Sequence, residues 1–234
     1  MKARIMIAIL IMALMVAAPA MLFAESLYDD DNEYDDLYQF DEADLEPIDV
    51  EALIWHGIES AREFVEEHSQ VFDITSTDGY VFQGRLSMPP GDGDVLAIVI
   101  DAGTSGPNTY LMERYIPGFG RFGYWDFWAR EFLGSGIAFF TANTRGVTPT
   151  DEPPDLMNID LEGYRTYLPA NVVEDVYHMI RTARENPRLA YAMIFIKGAS
   201  EGAIIATLFE ETHPGIADAL FLGDGSDLLT VLNN

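Results

Sequence analysis

The five residues Gly198-Ala199-Ser200-Glu201-Gly202 place a hydroxyl group between two glycines. A serine acts as a nucleophile when a tight strand-to-helix turn exposes its hydroxyl, and such a turn needs small residues on both sides of the serine. The same turn leaves the N–H of Glu201 at a helix N-terminus, aimed at the position where an oxyanion would form. The pattern also occurs in ordinary tight turns. The catalytic interpretation of Ser200 and Glu201 therefore depends on finding a strand before the pattern and a helix after it.

A second glycine-containing segment, Asp101-Ala102-Gly103-Thr104-Ser105-Gly106-Pro107, follows another apolar run. A flexible turn there could present a backbone N–H to the same oxyanion, and Thr104 is the candidate donor. A phosphate-binding loop is the alternative, but no lysine follows in the required position and the protein is strongly acidic. We therefore expect an oxyanion loop rather than a phosphate site.

The residues around these two segments predict strands that alternate with helices. Apolar runs typical of strands buried on both faces occupy 95–101, 137–142, 191–196 and 216–222. Helical periodicity occupies 124–133, 171–186 and 203–211. Segments 71–74 and 80–88 flank the turn signal Thr77-Asp78-Gly79 and predict a hairpin. The pattern indicates an α/β fold, a doubly wound and mostly parallel sheet with an N-terminal antiparallel hairpin.

With these elements in place, residues 71–222 resemble the front part of an α/β-hydrolase, near the branch of exported esterases and serine aminopeptidases. The resemblance is carried by the segment from Asp101 to Asn108, by Asn143-Thr144-Arg145-Gly146-Val147 and by the pattern around Ser200. It implies a serine hydrolase that acts on ester, thioester or amide bonds by acyl transfer through Ser200. The substrate would be a small-molecule or peptide acyl compound, and this chemistry requires no metal or organic cofactor. Aromatic residues in the region 110–128 could line an acyl pocket or belong to the core.

A serine nucleophile usually needs a histidine base oriented by a carboxylate. In the family that histidine follows the last strand, so the resemblance predicts a fold incomplete at its C-terminus, with base and acid beyond Asn234 and this chain inactive. His213 ends the helix that begins at Ser200, which places it roughly 20 Å away at 1.5 Å per residue. Lys197 as a base and Asp224 or Asp227 as the acid are the alternatives within the chain.

The N-terminus has the order of a secretory signal peptide. Lys2 and Arg4 precede the apolar run 5–23, and small residues offer cleavage sites near its end. We predict a signal peptide over 1–24 and export to the periplasm or the medium, with an uncleaved membrane anchor as the alternative. Three further segments follow in the prediction: an acidic disordered linker over 25–49, an amphipathic helix over 50–69 and the hydrolase domain over 70–234.

Composition narrows the possible functions. The chain has 39 acidic and 13 basic residues, a net charge of −26, so affinity for nucleic acid through counterion release is not expected. The absence of cysteine excludes disulfides, thiolate metal sites and cysteine nucleophiles. After signal cleavage we expect no stable membrane insertion, and the sequence leaves the oligomeric state open. A non-catalytic binding protein of the same fold and an acidic exported docking protein are the two alternatives to an enzyme.

Overall fold

A computed structural model describes residues 61–103, 106–116, 120–150 and 157–223 of the chain. The predicted signal peptide and acidic linker lie outside these residues, as do Thr104, Asp224 and Asp227. Of the predicted helix 50–69, the described part is helical over 61–67, and Ser69 already begins the first strand. No helix in the described part of the chain has both the length and the apolar character needed to cross a bilayer.

A six-stranded sheet forms the centre of the fold. Its strands are β1 (Ser69–Thr75), β2 (Val81–Ser87), β3 (Ala97–Asp101), β6 (Ala138–Ala142), β9 (Met193–Ala199) and β10 (Ala219–Gly223). They lie in the order β1-β2-β6-β3-β9-β10. The first two strands pair antiparallel as the predicted hairpin, and β2 also lies antiparallel to β6. The remaining neighbours, β6 with β3, β3 with β9 and β9 with β10, are parallel.

Helices cover both faces of the sheet. The helices are α1 (Tyr124–Gly134), α2 (Leu161–Tyr164), α3 (Pro169–Arg184) and α4 (Glu201–Thr212). Side chains alternate in direction along each strand, so apolar residues of one strand pack on both faces. Phe140 of β6 packs in a core cluster with residues of α3 and α4. Its neighbour Phe139 faces the other way and stacks on Phe132 of α1, with ring centroids 5.3 Å apart. The predicted fold class, a doubly wound mostly parallel sheet with an antiparallel hairpin, is confirmed.

Several short elements were not predicted. Two small antiparallel ribbons lie outside the main sheet: β4 (Glu113–Ile116) pairs with β5 (Gly120–Gly123), and β7 (Val147–Pro149) pairs with β8 (Met157–Ile159). Helix α2 has a side-chain cap, because the Asp160 carboxylate accepts hydrogen bonds from the N–H groups of Glu162 and Gly163. The second ribbon and α2 bring the following loop, which includes Tyr167, to the carboxyl ends of the parallel strands.

The order of the strands places a topological switch point beside β3. The chain passes from β3 to β6 on one side and then to β9 on the other. Open α/β sheets bind ligands in the crevice at such a point, outside the carboxyl ends of the strands. Asp101 ends β3 and Ser200 directly follows β9, so both predicted loops lie at this edge of the sheet.

Candidate active site

Ser200 occupies the single residue between β9 and α4. Its backbone angles are φ 54° and ψ −117°, and it is the one non-glycine residue with positive φ among those that the structure describes. A serine in this region of backbone space costs of order 1–3 kcal/mol and persists only where the surrounding structure imposes it. The residue is solvent-exposed, and its N–H donates to the Gly223 carbonyl at 3.0 Å. Strand, turn and helix therefore occur in the order that a nucleophilic serine requires.

The two glycines of the pattern allow the backbone to close around this turn. A Cβ atom on Gly198 would collide with the carbonyl of Gly202, which lies on the next turn of chain. A Cβ atom on Gly202 would collide with the Gly103 carbonyl in the other predicted loop. The two glycines therefore allow two close backbone approaches, one within the serine turn and one between the turn and the loop after β3.

The N–H of Glu201 is the oxyanion donor that the sequence predicts. It is the first residue of α4, so its N–H has no partner within the helix, and it finds no other acceptor among the described residues. The second predicted donor, Thr104, lies outside the described residues. The loop that leads to it is described as far as Gly103, which has φ 91°. The roles of Ser200, Glu201 and Thr104 stay predictions.

A residue that the sequence analysis missed lies near the side chain of Glu201. Tyr167, in the loop between α2 and α3, is close enough for the charge of the Glu201 carboxylate to act on its phenol. Burial raises the pKa of the Tyr167 phenol, and the nearby Glu201 charge raises it further. The phenol therefore stays protonated at neutral pH, near the first residue of α4.

Lys197 pairs with an aspartate at the end of the neighbouring strand. Its ammonium lies 3.1 Å from an oxygen of the Asp101 carboxylate, and the two side chains are 13% and 2% exposed. Burial raises the pKa of Asp101, while the positive charge of Lys197 opposes that effect. The contact that the structure gives for the Lys197 ammonium is thus with the Asp101 carboxylate.

Each of the three described histidines is bound elsewhere. His213 contacts Glu174 at 2.9 Å, and His68 contacts the Phe64 carbonyl at 2.8 Å. His178 lies 3.0 Å from the hydroxyl of Thr77, in the turn between β1 and β2. That turn is about three strand spacings from β9, or roughly 14 Å at 4.8 Å per strand. None of the three can serve Ser200 as a base; His56 lies outside the described residues.

Two of the aromatic residues near the site lie in the core. Tyr110 and Trp125 are 8% and 1% exposed, which places both in the core rather than in an acyl pocket. A cavity of about 50 Å³ lies beneath the loop after β3, where its lining includes Asp101, Gly103, Asn143 and Tyr167. That volume suits one or two water molecules rather than an acyl chain.

Within the described residues, no group of three or more histidine, aspartate or glutamate side chains could hold a metal ion.

Comparison with known proteins shows likeness of fold at low sequence identity. A carboxyl esterase from Bacillus coagulans is 15% identical over 66% of this chain and 43% of its own, with a TM-score of 0.47. A hypothetical protein from Pseudomonas aeruginosa is 13% identical over 70% and 44%, with a TM-score of 0.51. Oligopeptidase B from Trypanosoma brucei is 12% identical over 72% and 22%, with a TM-score of 0.48. No family model matches the sequence, and no curated protein matches it.

These comparisons concern architecture alone. The chain spans less than half the length of the three solved structures. Its sheet, its helices and its antiparallel hairpin form an α/β-hydrolase-like fold.

Proposed function

We propose that this α/β-hydrolase-like chain carries the nucleophile and an oxyanion donor of a serine hydrolase that cleaves ester, thioester or amide bonds. The observation that carries the proposal is the backbone of Ser200, a non-glycine residue at φ 54° and ψ −117° between a parallel strand and a helix. Strained residues of this kind cluster at active sites. The exposed position of Ser200 at the switch point of the sheet adds support.

The proposed reaction is an acyl transfer in two steps. The Ser200 hydroxyl oxygen attacks the carbonyl carbon, and the N–H of Glu201 donates to the oxygen that becomes negative. The leaving group departs with a proton, and water then releases the acyl group from Ser200 as a carboxylic acid. A base must accept the serine proton in the first step, and the described histidines do not supply it. We therefore expect this 234-residue chain to react with activated probes but not to turn over esters rapidly.

Covalent labelling of the whole chain with a neutral fluorophosphonate tests the proposal. Enzymes that have lost a triad residue keep a residual acceleration of about 10³ from the oxyanion hole and binding. We expect Ser200 to be phosphonylated faster than an ordinary exposed serine by roughly that factor. The site of modification is identified by peptide mass spectrometry. Labelling of Ser200 at the rate of an ordinary serine would refute the proposal and favour a non-catalytic binding protein.

Two variants test whether Ser200 carries the fast label. Ser200→Ala should remove the fast label. Ser135→Ala is the matched control, because Ser135 is also exposed but follows the C-terminus of α1. The control should label like the unmodified chain, and a fast label that survives in Ser200→Ala would assign the reactivity to another residue.

A further inference from the structure

The N–H of Ser200 is held by a strand that borders the described sheet. It donates to the carbonyl of Gly223, the last residue of β10, at 3.0 Å. The Ser200 carbonyl, in contrast, accepts from the N–H of Ala203 in its own helix, also at 3.0 Å. The bond to Gly223 is therefore a backbone contact that reaches the serine turn from a different element. Since a strained backbone persists only where the surrounding structure imposes it, this contact bears on the positive φ of Ser200.

The strand that supplies this carbonyl has little burial of its own. Among the described strands, β10 pairs with β9 alone, so it forms an edge of the sheet there. All five of its residues are at least partly exposed, and Leu222 is 51% exposed. A short strand with one partner and few buried contacts opens at a low cost in free energy. The position of the Gly223 carbonyl thus depends on what fixes β10 against β9.

Asp218, directly before β10, fixes the start of that strand. Its N–H donates to the carbonyl of Ile194 at 2.7 Å, and its carboxylate oxygen Oδ2 accepts from the N–H of the same residue at 2.7 Å. Two bonds to one residue of β9 select one register for the five strand pairs that follow. Because successive residues of a strand point in opposite directions, a slip by one residue would turn the Gly223 carbonyl away from Ser200.

We propose that Asp218 is a positioning residue for the serine turn: by fixing the register of β10, it holds the Gly223 carbonyl where that carbonyl accepts from the Ser200 N–H. The inference rests on the proposed function of Ser200. Asp218 does not touch the reacting atoms, because its partner Ile194 lies on β9 roughly 20 Å before Ser200 at 3.3 Å per residue. A purely structural Asp218 would contribute to folding but would leave the reactivity of a folded variant unchanged.

Side chains with and without an acceptor at position 218 separate these roles. In Asp218→Leu the N–H of Ile194 loses its acceptor, whereas in Asp218→Asn the amide oxygen can still accept from it. Both variants remove the same negative charge, so Asp218→Asn is the rescue of Asp218→Leu. Because Asp218 is exposed, we expect both variants to fold. Asp218→Ala, which also lacks an acceptor, should behave as Asp218→Leu does.

The rate of fluorophosphonate labelling of Ser200 at saturating probe, kinact, and the half-saturating concentration, KI, are measured for each folded variant. A reacting group misplaced by about 1 Å lowers reactivity by up to roughly 100-fold. We expect Asp218→Leu to lower kinact about 10- to 100-fold with KI nearly unchanged, and Asp218→Asn to recover most of kinact. Unchanged kinact in folded Asp218→Leu, or no recovery in Asp218→Asn, would overturn the proposal.

Amide hydrogen exchange supplies a readout that does not depend on the reactivity of Ser200. The amides of Ser200 and Ile194 should exchange faster in Asp218→Leu but not in Asp218→Asn. Asn186→Leu is the matched control, because the Asn186 side chain also accepts from a backbone N–H, that of Arg188 at 3.0 Å, but lies outside β10. This control should leave kinact and exchange at both amides unchanged.

The proposed function and the positioning role fail in different ways. If Ser200 in the unmodified chain is labelled no faster than an ordinary serine, the proposed function fails, and exchange at the Ser200 amide then decides on the positioning role by itself. Unchanged exchange at Ser200 in folded Asp218→Leu would refute the positioning role, whatever the rate of labelling.

Discussion

At the scale of single residues, the serine turn depends on two glycines, at which an added methyl group would collide with the backbone. The Cβ of Gly202→Ala would press onto the Gly103 carbonyl, and the Cβ of Gly198→Ala would press onto the Gly202 carbonyl. Because the obstacles are backbone atoms, we expect each change to destabilise the fold by about 1–3 kcal/mol and to abolish fast labelling of Ser200. Urea denaturation and the fluorophosphonate assay measure the two effects.

A glycine with free space around it provides the control. Gly134, the last residue of α1, has nothing within 4 Å of the position that its Cβ would take. Gly134→Ala should leave labelling unchanged and leave stability equal or increased by up to about 1 kcal/mol, because alanine favours helices over glycine. Equal losses in all three alanine variants would show that the contacts of the two site glycines are not the cause.

The phenol of Tyr167 gives a prediction about how the stability of the fold depends on pH. Burial, followed by the Glu201 charge, raises the pKa of this phenol above the value of about 10 that an unfolded tyrosine has. A raised folded-state pKa means that the stabilisation is present below pH 10 and is lost as the pH rises above it. Tyr167→Phe removes this titrating group, so the free energy of unfolding of the unmodified chain should fall relative to that of the variant as the pH rises above 10.

Urea denaturation at pH 7 and at pH 10.5 measures the difference in the free energy of unfolding between the two chains. Tyr191→Phe is the control, because Tyr191 is 95% exposed and its replacement should change stability little at either pH. A difference in the free energy of unfolding between Tyr167→Phe and the unmodified chain that is the same at both pH values would contradict the raised pKa of the phenol.

At the scale of elements, the sequence predicted what depends on local pattern. Strands β3, β6 and β9 are buried on both faces, and each appears as a continuous apolar run. Ribbons β4–β5 and β7–β8 were missed because their strands have only three or four residues, too few to show a periodic pattern. Helix α4 was predicted from 203 but begins at Glu201, because the tight serine turn leads directly into it.

The same distinction applies to the candidate site. The turn around Ser200 was predictable because its glycine spacing lies within five residues of sequence. The pairing of Lys197 with Asp101 was not, because these residues are 96 positions apart and are joined only by the order of the strands. The proximity of Tyr167 to Glu201 depends on the path of an unpredicted loop. Contacts between distant elements follow from topology, which a single-sequence pattern does not specify.

Arg145 connects three elements, and its replacement gives a prediction about the stability of the fold. Its guanidinium, in a side chain 1% exposed, binds the Asp175 carboxylate of α3 through two bonds of 2.6 and 2.7 Å. It also contacts Asp78 in the turn of the hairpin. Arg145→Met should destabilise the fold by about 3–5 kcal/mol, because Asp175 is then left buried without its cation. In Arg145→Met/Asp175→Leu part of that loss should return, as urea denaturation will show, and a double variant no more stable than the single one would contradict this explanation.

At the scale of the whole molecule, a net charge of −26 opposes the compact state through self-repulsion. Salt screens such repulsion, since the Debye length falls from about 30 Å at 0.01 M to about 10 Å at 0.1 M. We therefore expect Tm at pH 7 to rise by several degrees between 10 and 200 mM NaCl, although individual surface ion pairs such as Arg165–Glu162 are weakened by the same salt. Choline chloride at equal ionic strength should have the same effect if screening is the cause. A rise with NaCl but not with choline chloride would indicate specific binding of sodium, and a fall in Tm with both salts would show that attractive ion pairs outweigh the net repulsion.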